Sequence, residues 1–150
     1  MTPSATSQMP PVRAVMTPSP YAIDLDAPVR LAQGLMAEHE IRHLPVTDQK
    51  GALVGVLADR DLKRSLDPSI GLPPKNELFV RDVCVLDPYV VDPWEPLDDV
   101  LVQMAERHVG SALVVKEGKL VGIFTATDAC RSFAEFLRAQ FPSGGGEQFA

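Results

Sequence analysis

Gly51-Ala52-Leu53-Val54-Gly55-Val56-Leu57-Ala58-Asp59-Arg60-Asp61 and Gly118-Lys119-Leu120-Val121-Gly122-Ile123-Phe124-Thr125-Ala126-Thr127-Asp128 are one phrase written twice. Each opens on a glycine turn, runs through an apolar stretch interrupted by a second glycine, and closes on an aspartate. A short apolar run bounded by turn residues reads as a buried strand, and the polar residues after it read as the opening of a helix. A repeated phrase of this kind points to an internal repeat, which decides the architecture before any single element does.

The repetition extends outward from the phrase. At an offset of 68 residues, Val12-Arg13-Ala14-Val15 falls on Val80-Arg81-Asp82-Val83 and Pro20-Tyr21 on Pro88-Tyr89. Asp24 falls on Asp92, Pro28 on Pro96, and Met36-Ala37-Glu38 on Met104-Ala105-Glu106, with one residue dropped in the turn that opens the phrase. Tyr21-Ala22-Ile23 and Tyr89-Val90-Val91 read as short strands. Helices follow, entered through Pro28 and Pro96, since proline suits a first turn. Leu97, Val100, Leu101, Met104 and Ala105 recur at helical spacing and predict one buried face; Leu31, Leu35 and Met36 do the same more weakly around Gly34. Leu44-Pro45-Val46 and Ala112-Leu113-Val114-Val115 read as buried strands, with Leu53 to Leu57 and Leu120 to Phe124 as the returns. Closing helices are expected near Asp59 to Leu66 and Ala126 to Gln140.

Each copy is thus a β-α-β-β-α unit of roughly 55 residues, too small to bury enough surface alone. The expected fold is α/β (α+β), with the tandem copies covering each other's exposed sheet faces. The chain divides into a disordered segment 1–11, a first repeat 12–66, a proline-bearing connector 67–79, a second repeat 80–141 with an extended last helix, and a disordered tail 142–150.

The chain has 150 residues, is 45% hydrophobic and carries a formal net charge of −6. That balance argues against DNA as a partner, because duplex binding needs a surface rich in Lys and Arg. No apolar stretch approaches the length of a membrane span, and the first residues lack the basic start and apolar run of a signal peptide. A cytoplasmic location without a membrane partner is expected. Cys84 and Cys130 are too few for a disulfide framework and have no zinc-type spacing, so both read as small buried hydrophobes and no metal site is expected.

Ile41-Arg42-His43-Leu44-Pro45-Val46, followed by Gly55-Val56-Leu57 and Asp61, resembles a CBS domain, a type named after cystathionine beta-synthase. Val109-Gly110-Ser111-Ala112-Leu113-Val114-Val115, followed by Gly122 to Asp128, resembles a second one. Together they resemble a Bateman module, a CBS-domain pair, over nearly the whole chain. The resemblance implies copies packed about a pseudo-twofold axis with two clefts between them. It implies a regulatory adenosine-type ligand there (AMP, ADP, ATP or S-adenosylmethionine), no required cofactor, and frequent assembly into a homodimer.

The ribose-phosphate motif of such modules is glycine, two apolar residues, threonine or serine, two variable residues, then aspartate. Gly122, Ile123, Phe124, Thr125 and Asp128 complete it. Thr125 ends a strand and opens a helix, so its hydroxyl and the first helical amides can face a phosphate. Asp128 suits a ribose diol, whose hydroxyls donate to a carboxylate. The same spacing is also a helix capping box, and both readings stand. The first copy keeps Asp61 but has Ala58 in place of threonine, which favours the second cleft; Arg60 reads as a phosphate contact or a solvated helix-start residue. For the base, the strand starts of the same copy are candidates: Val85, Leu86, Val109, Gly110, Ser111 and Ala112, with plain core strand as the other reading. Arg42 and His43, replaced by Gly110 and Ser111 in the second copy, are candidates to reach phosphate across the interface. Their other reading is a surface salt bridge and a satisfied histidine. His39 and His108 read as surface or rim residues.

Three functions compete. The first is a non-catalytic regulatory sensor that changes the packing of its copies on binding and passes the change to an unidentified regulated protein. The second is a homodimerising scaffold without a nucleotide. The third, an enzyme, lacks a phosphate-binding loop with its lysine, a paired nucleophile and a metal cluster. Phe133, Phe136, Leu137 and Phe141 fall on one side of the last helix; part of that stripe is expected to cover the sheet and the rest to meet a second chain.

Overall fold

The computed structural model describes residues 8–67, 69 and 78–142. Most of the segments expected to be disordered, and most of the connector, lie outside the described residues. The chain runs through a 3₁₀ turn at Val12–Ala14, then β1 (Thr17–Pro18), β2 (Ile23–Asp24), α1 (Val29–His39), β3 (His43–Thr47), β4 (Leu53–Ala58) and α2 (Asp59–Ser65). The second half repeats the order: α3 (Val80–Val83), β5 (Val90–Val91), α4 (Leu97–Arg107), β6 (Ser111–Lys116), β7 (Lys119–Thr125) and α5 (Ala126–Gln140). This is the expected tandem β-α-β-β-α architecture. The strands form a three-stranded sheet, β2-β3-β4, and a four-stranded sheet, β1-β7-β6-β5. In each, a short first strand pairs in parallel with the next, which turns back antiparallel into the third. The tight returns place Gly51 and Gly118 at positive φ, where a residue without Cβ is unstrained.

Each sheet covers its own apolar core, and the two copies are joined by exchanging the segments that lead into them. Val12, fully buried, packs with Tyr89, Val91, Val100 and Phe124 of the second copy. Leu78 and Val80 pack with Ile23, Leu44, Val46 and Leu57 of the first. The backbone bonds repeat with the same symmetry. Val12 N–H donates to the Glu95 carbonyl and Arg13 N–H to that of Pro93, at 2.9 and 3.0 Å; Val80 N–H donates to Ala27 and Arg81 N–H to Leu25, at 2.8 and 3.0 Å. Pro11 bridges Pro96 as Phe79 bridges Pro28. Thr17 pairs with Ile123 of β7, while Val85 and Val56 of β4 exchange both amide bonds. The expected boundaries therefore need correction in space: Pro10 and Pro11 are engaged, with Leu97 N–H donating to the Pro10 carbonyl, and Leu78, expected in the connector, is core.

Two glycines permit the exchange. A Cβ at Gly55 would lie 2.5 Å from the carbonyl oxygen of Val85, and one at Gly122 would collide with the Met16 sulfur. Gly122, expected to touch ligand, is thus a packing residue beneath the exchanged segment.

The helices bury narrower faces than their sequence pattern predicts. In α4 Leu97, Val100 and Met104 are buried while Leu101 and Ala105 are exposed; in α1 the core residues are Val29, Ala32 and Met36, and Leu31 is exposed. Pro28 and Pro96 stand one residue before their helices, as N-caps. The stripe on α5 does not cover the sheet: Phe133, Phe136 and Phe141 are 60%, 56% and 67% exposed, and Ala129 makes the contact with the core instead. Cys130 is exposed rather than buried.

Candidate functional site

The exchange leaves two clefts between the copies, each opening beside the start of a closing helix. The larger, about 840 Å³, contains Thr125, Thr127, Asp128 and Arg131 of α5 together with Arg42 and His43 from the start of β3. Its remaining walls are Thr17 to Tyr21, the end of α1 at Glu40 and Ile41, and Ile123. The smaller, about 670 Å³, is built around Ala58 to Asp61 and Lys63, with Val85 and residues 87–89 and 108–111 opposite. Arg42 and His43 line this cleft too.

The motif of the second copy forms the capping box. Thr125 N–H donates to Asp128 Oδ2 at 2.9 Å, the Thr125 hydroxyl donates to the same oxygen at 3.1 Å, and Asp128 N–H donates back to Thr125 Oγ1 at 3.3 Å. Arg131 Nη1 donates to Asp128 Oδ1 at 3.4 Å. Asp128, only 8% exposed, is the one buried residue among the described residues of α5. A carboxylate offers about four lone-pair positions, so these bonds leave room for a further donor. Ala58 supplies no such cap to α2, and the Asp61 side chain makes no hydrogen bond or ion pair among the described residues.

Arg42 and His43 of the first copy stand in one cleft with Thr125 and Asp128 of the second. The grouping of the base-pocket candidates differs from the expectation. Val85, Val109, Gly110 and Ser111 face the Ala58 cleft with Asp61, not the Thr125 cleft. Val85 lies on the segment exchanged onto the first copy, and Val109 to Ser111, at the start of β6, face the first copy's motif across the seam. Leu86 is exposed and Ala112 is fully buried, and neither lines a cleft.

The pairs Tyr21 and His39, and Tyr89 and Arg107, occupy equivalent positions but differ in use. Tyr21 is 53% exposed in the Thr125 cleft, its ring stacked on His39 with centroids 3.7 Å apart. Tyr89 is 8% exposed, with the Arg107 guanidinium 4.5 Å above its ring. The larger cleft therefore presents an open aromatic face and the smaller one does not. Sequence reasoning assigned Tyr21 and Tyr89 to strands; their spacing of 18 residues from His39 and Arg107 across a whole helix gave no local signal. Arg131 was findable, three residues after Asp128 on a helix. His108 lines the Ala58 cleft rather than a bare rim. Glu40 and His108, at equivalent helix ends, both hold left-handed backbone, with φ of 53° and 56°.

His43 sits in the wall between the clefts, its Nε2 3.0 Å from where a Cβ on Gly110 would stand. Burial pushes its pKa below the ordinary histidine value of 6.5, against the opposing pull of Asp61. Among the described residues there is no cluster of metal-binding side chains, and no helix is long and apolar enough to cross a membrane.

A family model described as CBS domain matches residues 12–68 and 80–135. AcuB from Vibrio cholerae superposes with a TM-score of 0.76 at 28% identity, covering 91% of this chain and 98% of that one. CBSX2, solved in complex with AMP, superposes at 0.70 and 29% identity, covering 86% of this chain and 99% of that one. Hypoxic response protein 1 of Mycobacterium tuberculosis is 35% identical over 111 residues, spanning 71% of this chain and 73% of that protein. Among the first curated relatives, the chain spans from 23% to 86% of their length.

Proposed function

The chain belongs to the CBS-domain family as a tandem pair, and from that premise we propose that it is a non-catalytic regulatory module that senses an adenosine-type nucleotide in the Thr125 cleft. One observation carries the reading: the cleft gathers a complete Thr125–Asp128 motif, the cross-copy Arg42 and an exposed Tyr21 ring around one volume large enough for such a ligand. A drug-sized ligand occupies pockets of roughly 300–1,000 Å³. The base has an aromatic face in Tyr21, the ribose hydroxyls have Asp128, and the phosphate has Arg42, Arg131 and the first amides of α5. The AMP bound by CBSX2 supports the ligand class. Asp61, Val85, Val109, Gly110 and Ser111 form a lesser site, because Ala58 removes the hydroxyl.

The test is a thermal-shift screen with AMP, ADP, ATP and S-adenosylmethionine on wild type and Thr125→Ala. A ligand at 100 times its dissociation constant adds about 2.7 kcal/mol, or roughly 2–8 °C for a domain of this size. A shift with one of them, lost in the variant, is expected. No shift with any would move the reading to the second function, a homodimerising scaffold without nucleotide. The observation favouring that alternative is the exposed Phe133, Phe136 and Phe141 on α5.

A further inference from the structure

Arg42 has an unusual position for a single charge. Its backbone is fixed, since its carbonyl accepts the Asp59 amide at 2.7 Å, yet its exposed side chain makes no ion pair or hydrogen bond among the described residues. It lines both clefts. Counting only Arg, Lys, Asp and Glu, the Thr125 cleft sets Arg42 and Arg131 against Glu40 and Asp128. The Ala58 cleft sets Arg42, Arg60 and Lys63 against Asp59, Asp61 and Asp87. Each cleft is neutral only when Arg42 is counted in it, and each is left with one excess negative charge when Arg42 turns away. The second copy offers no replacement, because Gly110 and Ser111 occupy the equivalent positions.

We infer that Arg42 is a shared anion contact that serves one cleft at a time, so that an anionic ligand in either cleft weakens binding of a second anion in the other. This rests on the reading of the clefts as phosphate-binding, and it makes the pair a mutually antagonistic device rather than two independent sites. An anion in the Thr125 cleft draws the guanidinium toward α5 and leaves the Ala58 cleft with Asp61 and Asp87 facing Arg60, since Lys63 is paired with Asp59 at 3.1 Å. The anion itself adds like charge across the thin wall formed by His43 and Gly110.

The experiment is a titration of the full chain with pyrophosphate, followed by amide NMR, because that probe carries charge without adenosine. The Ala126–Asp128 amides report one cleft and the Asp59–Asp61 amides the other. In wild type the first set is expected to respond before the second. Thr127→Trp, which fills the Thr125 cleft from an exposed position without changing its charge, should lower the pyrophosphate concentration needed at Asp59–Asp61 on the order of tenfold, the scale of one unit charge at a few ångströms in a partly solvated site. That gain should vanish in an Arg42→Gln background. An Asp59–Asp61 response at the same concentration in wild type and Thr127→Trp, a gain that survives without Arg42, or no response in either cleft would each overturn the inference. Should AMP fail to bind while pyrophosphate follows this pattern, the nucleotide-sensor reading falls and the antagonism stands.

Discussion

At Asp128 one carboxylate oxygen receives the amide and hydroxyl of Thr125 while the other faces Arg131, so the group proposed to meet the ligand is also the helix cap. This is why the capping-box and ligand readings could not be separated by spacing alone. The box is legible because it is local, three residues along one helix, and Ala58 against Thr125 singles out the second cleft; Tyr21 and Glu40 are not legible, because they reach the site through the fold. A pH dependence is expected from His43. Its burial favours the neutral form and lowers the native pKa below the unfolded value of 6.5. The unfolded chain therefore binds more protons just below that value. Stability is fully present above pH 6.5 and declines as pH falls toward the lowered native value. A phosphate near the ring stabilises the protonated form, so AMP affinity should rise over the same window as pH falls. The facing groups are Asp61, Arg60, Asp59 and Arg42. Urea denaturation and AMP binding across this range, in wild type and His43→Asn, check both slopes; equal slopes in the two proteins would assign them to other groups.

Elements one step larger show where the sequence stopped being informative. The repeat revealed the order of strands and helices because apolar runs and turn residues recur at fixed positions. It could not reveal that Val12 and Val80 change places, since near-identical leading segments fit either core equally well by pattern. The placement of Val85 beside Val56 follows from that one ambiguity, whereas Val109, Gly110 and Ser111 reach the first copy's cleft from the start of β6. Leu78, 2% exposed in the core of the first copy, follows a proline-bearing stretch and so reads as linker from the sequence. Leu78→Ala removes a buried side chain and should cost about 2–5 kcal/mol of unfolding free energy, measured by chemical denaturation. A loss below about 0.5 kcal/mol, typical of surface substitutions, would mean that the exchanged segment does not hold the first copy.

For the whole molecule, two small cores share one pair of exchanged segments, and the two clefts lie along the seam. Ligands between the copies can then alter how the copies sit, which is the physical basis for reading the pair as a sensor. The outer face of α5 lies apart from both clefts. Phe133 and Phe136 lie with ring centroids 6.4 Å apart and border an apolar groove of about 760 Å³ formed with Leu101 of α4, Val15 and Pro10. Three aromatic rings more than half exposed present on the order of 300 Å² of apolar surface, a size at which patches mark contacts. We expect sedimentation to give a dimer for wild type, and Phe136→Glu to shift it to the 16.3 kDa single chain without loss of thermal stability in the monomer. A wild-type monomer at high concentration would rule the dimer out.

Whether a nucleotide is held in the Thr125 cleft is decided by calorimetric titration of AMP and ADP into wild type, Asp128→Ala and Asp61→Ala. Binding is expected in wild type, abolished by Asp128→Ala and retained in Asp61→Ala. Binding that survives Asp128→Ala and disappears with Asp61→Ala would place the nucleotide in the other cleft and contradict the proposed site.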